Sequence, residues 1–127
     1  MKRAYVLMTA MPPTKGHLAL IRFAASVADT AEVVVCTQPG EPFSDERVDA
    51  LRAATAGMNV NIHRIHKTLP QEPDGADPAF WDMWLDFLLM FGLTSGRDCI
   101  VASEAYGADL ARICGAEFVP YDVDRLM

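Results

Sequence analysis

The chain has 127 residues, a length that fits one domain burying roughly two-thirds of the surface its unfolded form exposes. Apolar residues make up 51%, yet no stretch approaches the roughly 18 uninterrupted apolar residues of a membrane span, so no membrane partner is expected. A formal charge of −6, with its 11 basic residues scattered, argues against a nucleic-acid surface, which needs clustered Lys and Arg; a small anion held by a few local donors stays compatible.

The opening Met1-Lys2-Arg3 before Ala4-Tyr5-Val6-Leu7-Met8 has the charge order of a signal peptide. The apolar run is too short and breaks at Thr9, so it reads as a buried first strand from Arg3 to Thr9 and the expected location is the cytoplasm. Cys36, Cys99 and Cys114 are odd in number, widely spaced and without a CxxC pair, and are read as buried thiols.

A helix is predicted from about Gly16 to Asp29, with Leu18, Ile21, Ala25 and Ala28 on one face. The β-branched run from Glu32 to Thr37 makes a second strand, closed by Gln38-Pro39-Gly40. Ser44 reads as the N-cap of the next helix, with Asp45 and Glu46 in its favourable first turn and Gly57 at its end. Val60 to His63 is the third strand, and Arg64 to Asp77 a long polar loop.

Asp77 and Pro78 fit as N-cap and first residue of a helix carrying Phe80, Trp81, Trp84, Leu85, Leu88 and Phe91, with Gly92 closing it. Cys99 to Ala102 is a fourth strand, Ala105 to Cys114 a short helix, and Ala116 to Tyr121 a fifth strand. Strands alternating with helices at this spacing imply an α/β, Rossmann-like open parallel five-stranded sheet with helices on both faces. Ligands of such sheets bind beyond the carboxyl ends of the strands, which directs attention to the loops after Thr9, Thr37, His63 and Ala102.

The first of these loops has neither GxGxxG nor GxxxxGK[ST]. It offers Thr14-Lys15-Gly16-His17, where Gly16 allows backbone amides to approach a ligand and His17 opens a helix whose N-terminus favours anions. Lys15 reads equally as a phosphate-holding charge or a solvated lysine. His63 and His66, flanking Arg64, are read as surface or packing residues, and Asp45, Glu46, Asp49 and Glu72 as solvated charges.

Thr14-x-Gly16-His17 after a first strand resembles the (H/T)xGH motif of the nucleotidylyltransferase superfamily. Leu69-Pro70-Gln71-Glu72-Pro73, Asp77 to Trp84, Ser103-Glu104-Ala105-Tyr106-Gly107, Leu110-Ala111, Gly115-Ala116-Glu117 and Asp122 to Arg125 resemble, in order, the nicotinamide-nucleotide adenylyltransferase domain of the bifunctional NAD-biosynthesis regulator. The resemblance implies transfer of AMP from ATP to nicotinamide mononucleotide, giving NAD and pyrophosphate, with Mg2+ as helper. It implies that His17 and Thr14 donate to phosphate, that Lys15, Gly16, Ser103, Glu104, Tyr106 and Gly107 line the ATP side, and that Trp81 or Trp84 stacks on the nicotinamide. For the two tryptophans, aromatic spacing on a helix reads equally as core.

The sequence departs from that pattern at Met8, where relatives commonly have Gly, and at Ala10, where they have an aromatic residue. It also reaches Arg125-Leu126-Met127 without the (I/V)SxTxxR segment that follows the last strand in the family. The expectations are therefore a single domain, 1–127, lacking that segment; a truncated form; donors supplied by another subunit of a homo-oligomer; or a weakened, regulatory nucleotide-binding module. Other cytidylyl- or adenylyltransferases are the neighbouring enzyme class.

Overall fold

A computed structural model describes residues 2–8, 15–37, 39–40, 43–66, 78–102 and 106–121, apart from the side chains of 78–82 and 106. The elements run β1 (Arg3–Met8), α1 (Lys15–Val27), β2 (Thr30–Thr37), α2 (Ser44–Ala54), β3 (Val60–His66), α3 (Pro78–Met90), β4 (Cys99–Ala102), α4 (Tyr106–Cys114) and β5 (Glu117–Pro120). The five strands form one parallel sheet in the order β3-β2-β1-β4-β5, so the Rossmann-like reading holds.

Parallel strands need a covered crossover, and each face of this sheet has one pair of helices. Ile21 and Ala24 of α1, with Val48 and Leu51 of α2, pack on Ala4, Val6, Val33, Val35 and Val101. Trp84 and Leu88 of α3, with Leu110, Ala111 and Cys114 of α4, pack on Tyr5, Val34, Cys36, Ile65 and Ile100. The alternation along β1 is what divides these sets, because successive strand side chains point to opposite faces.

Two local expectations are corrected. The residue preceding α2 is Phe43, in the left-handed region at φ 56°, with no side-chain cap bond. Ser44 is thus the first helical residue and not the cap; its hydroxyl instead accepts from Arg64. Strand β3 also continues to His66, pairing Arg64 with Val35 and His66 with Thr37, so these residues belong to the sheet and not to a loop. An edge strand can carry polar side chains on a solvated side, which is why its apolar pattern fades early.

At the amino ends of the strands, buried polar groups tie the elements together. The Asp98 carboxylate accepts from the amides of Arg3 (3.0 Å) and Thr94 (2.6 Å), while the Tyr5 hydroxyl donates to the Phe91 carbonyl (2.9 Å). Arg3 also donates to the Gly92 carbonyl at 2.6 Å, and its guanidinium lies 3.7 Å from buried Glu32. His63 approaches the same carboxylate at 3.4 Å and stacks on Phe91.

Gly107 lies in the first turn of α4, where a Cβ would stand 2.7 Å from Ala102 Cβ and 2.7 Å from the Phe118 ring. Its lack of a side chain lets α4 sit close on β4 and β5. Gly107→Ala should lower the urea midpoint, because overpacking costs about 1–3 kcal/mol and the gain in helix propensity, about 1 kcal/mol, offsets only part of it. An unchanged or higher midpoint would mean that α4 can lift from the sheet freely.

Burial pushes Cys99, with Glu117 nearby, and Cys114 up to about 11 from an ordinary 9. Both should resist an aromatic disulfide reagent at pH 8 until urea unfolds the chain. Since the folded-state values are raised, their contribution to stability is full below pH 9 and is lost as pH rises through about 11. Rapid labelling of the native protein at pH 8 would contradict this.

Candidate functional site

The chain winds outward from β1 through β2 to β3, then returns to the other side of β1 to form β4 and β5. The reversal makes a topological switch point between β1 and β4, whose connections leave on opposite faces; open parallel sheets bind ligands beyond the carboxyl ends at such a point. The helix that follows β1 is α1, and the one that follows β4 is α4. In chain order the motif Thr14-x-Gly16-His17 falls between β1 and the start of α1, and Ser103 to Gly107 between β4 and the start of α4.

Lys15, Gly16 and His17 form the first turn of α1, with Lys15 and Gly16 exposed and His17 half-buried. The first turn carries no acidic residue, so nothing on the helix itself neutralises its positive end. Thr14, Ser103 and Glu104, together with the side chains of Tyr106 and Trp81, lie outside the described residues. Gly107 is buried in the first turn of α4, against Ala102 and Phe118.

Trp84 is only 5% exposed and sits in the core cluster between α3 and the sheet, with Phe87 edge-on to its ring. The helical spacing of the two tryptophans is thereby resolved for Trp84 in favour of packing. An indole enclosed to that degree offers almost no face on which a base could stack.

A polar cluster at the carboxyl ends of β2 and β3 was not singled out from the sequence. The Arg64 Nε donates to the Thr37 hydroxyl at 3.2 Å, its NH2 donates to Ser44 Oγ at 3.2 Å, and its NH1 pairs with the Asp45 carboxylate. Thr37 Oγ1 lies 2.7 Å from His66 Nδ1, and Arg64 NH2 lies 3.3 Å from the same nitrogen. Thr37 is fully buried while the His66 ring is exposed.

Arg47, one turn into α2, is 3% exposed. Its spacing of four from buried Leu51 was the sequence signal that it faces inward. Lys15, His17, Arg47, Arg64 and His66 belong to the carboxyl side, together with Asp45 and Glu46 in the first turn of α2, Arg64 being paired with Asp45. Among the described residues no group of three or more His, Cys, Asp or Glu side chains could hold a metal ion, and no helix is long and apolar enough to cross a membrane.

No protein-family profile matches the chain, and no curated protein matches it. Solved structures do. A NadR protein in complex with NAD and AMP-PNP superposes with a TM-score of 0.65 at 20% identity, over 95% of this chain and 38% of that one. A bifunctional NMN adenylyltransferase/ADP-ribose pyrophosphatase from Francisella tularensis gives 0.69 at 18% identity, covering 95% and 38%. The same bifunctional protein in complex with AMP and a manganese ion gives 0.68 at 19% identity, covering 96% and 37%. The chain spans less than two-fifths of the length of these proteins, and shares with them the Rossmann-like fold: an open parallel sheet wound in both directions from its central strand.

Proposed function

We propose that this chain is a nicotinamide-nucleotide adenylyltransferase domain, transferring AMP from ATP to nicotinamide mononucleotide with release of pyrophosphate. The observation that carries the reading is the placement of Lys15-Gly16-His17, with no acidic neighbour in the turn, at the start of the helix that opens on the switch point. The fold shared with NMN adenylyltransferase structures supports the choice of substrates.

In this reaction an oxygen of the mononucleotide phosphate attacks the α-phosphorus of ATP, and the bond from that phosphorus to the pyrophosphate oxygen breaks. No protein nucleophile enters. The protein's work is to align two polyanions and oppose the charge on the transferring group, through positioning and electrostatics. The α1 amides and the positive end of the helix cradle the ATP phosphates. His17 donates a ring N–H to them, Thr14 its hydroxyl, and Lys15 contributes a point charge.

A divalent ion of the Mg2+ type binds mainly through substrate phosphates and water, with few protein carboxylates, so the absence of a three-residue cluster among the described residues is compatible with one arriving on ATP. When bound, it would withdraw charge from the phosphate oxygens. Ser103 and Glu104, between β4 and α4, and Tyr106 and Gly107, which open α4, would line the adenylate side, Gly107 by permitting close packing. Trp81 is the tryptophan left to meet the nicotinamide.

The test is to incubate the purified chain with ATP, magnesium and nicotinamide mononucleotide and to measure NAD by a coupled dehydrogenase. NAD should form, and His17→Ala should lower kcat/KM by about 100-fold or more, the usual cost of removing a preorganised transition-state donor, with an unchanged thermal midpoint. Nucleotide binding by calorimetry without any NAD would identify a binding module instead. Failure to bind ATP would overturn the reading altogether.

A further inference from the structure

The hydrogen-bond pattern around His66 fixes which ring nitrogen carries the proton. An arginine NH2 has only hydrogens to offer, so the Nδ1 that faces Arg64 NH2 at 3.3 Å is an acceptor. The Thr37 hydroxyl accepts from Arg64 Nε and directs its single hydrogen to His66 Nδ1, at 2.7 Å, in preference to the Ile65 carbonyl at 3.3 Å. Two donors thus converge on Nδ1, and in the neutral ring Nε2 bears the N–H. The ring is exposed, and among the described residues both of its hydrogen-bond contacts are through Nδ1.

Arg64 is in contrast largely committed. Its Nε, NH1 and NH2 engage Thr37, Asp45, Ser44 and His66, all within the protein. A guanidinium so bound serves less as a ligand donor than as a brace, holding the end of β3 against the start of α2. Among the described residues, what it leaves available there is an oriented donor, His66 Nε2–H, at the carboxyl end of the edge strand.

The location selects the ligand. Strand β3 lies two strands from β1, about 10 Å at the usual strand spacing, on the side away from β4 and α4. If phosphoryl transfer takes place at the start of α1 and the adenylate lies toward β4, the β2–β3 side is left for the acceptor nucleotide. We propose that His66 is a hydrogen-bond donor to the acceptor mononucleotide, with Arg64 and Thr37 as the residues that position it. This inference rests on the adenylyltransferase reading. The accepting oxygen belongs to the phosphate or to the ribose.

The test uses the full chain and calorimetric titration with nicotinamide mononucleotide, nicotinamide riboside and ATP in separate runs. His66→Ala should weaken mononucleotide binding about tenfold while ATP affinity stays within about twofold, and His66→Gln, which retains an N–H donor, should recover much of the loss. Loss for the mononucleotide alone places the bond on the phosphate; equal loss for the riboside places it on the ribose. Either supports the proposal. Arg64→Ala should weaken mononucleotide binding in the wild-type background and add little in His66→Ala, the non-additivity of residues acting through one contact.

Unchanged mononucleotide affinity in a His66→Ala protein with a wild-type thermal midpoint would overturn the proposal, and so would equal losses for mononucleotide and ATP. If the wild-type chain binds neither nucleotide, the adenylyltransferase reading fails and this inference falls with it. The two failures are therefore distinguishable.

Discussion

Burial of β1 on both faces is the constraint on which the rest of the structure depends. Ala4, Tyr5 and Val6 are at most 1% exposed, and the strand has hydrogen-bonded neighbours on both edges. A strand in that position cannot be served by hairpins, because its neighbours run parallel to it and each must return over one face or the other. The helices take opposite faces as a consequence, and the switch point between β1 and β4 lies where they change sides. The candidate site is thus a by-product of covering a central strand.

The two ends of the sheet handle polar groups differently. At the amino end, buried Asp98 and Tyr5 bond backbone groups, and half-buried Arg3 donates to the Gly92 carbonyl while lying 3.7 Å from the buried Glu32 carboxylate, joining the turn after α3 to β1. Buried polar groups of this kind are costly unless paired, and when paired they specify one arrangement. At the carboxyl end Lys15, Gly16, the His66 ring and Asp45 are exposed. One edge is committed to structure, and the other keeps donors that face solvent.

Much of this could be read from the sequence because doubly wound folds write themselves as alternating periodicities. The apolar runs at Tyr5 to Met8, Val33 to Cys36 and Cys99 to Ala102 gave the buried strands, and Thr14-x-Gly16-His17 fell after the first of them. Strand β3 was harder because an edge strand with His63, Arg64 and His66 lacks a continuous apolar signal. Phe43 before α2 could not have been read at all: a left-handed aromatic runs against local preference, and the adjacent Ser44 has the composition of a cap. The Thr37–Arg64–His66 cluster, joined by Ser44 and Asp45, unites residues from two strands and a helix start, a proximity that only the sheet register creates. Trp84 illustrates the converse limit, since a core tryptophan and a ligand-stacking one have the same spacing on a helix.

The β1–β4 pairing, Ala4 against Cys99, joins the start of the chain to its last third. During synthesis from the amino terminus, β1, β2 and β3 can associate early, but the other edge of β1 stays open until β4 has emerged. Contacts of such sequence separation close late and slowly. An unpaired central strand is also the kind of edge that recruits foreign strands. The switch point between β1 and β4 comes into being with this closure, so any ligand bound there would recognise only a finished molecule and, by binding, would hold the two halves of the sheet together.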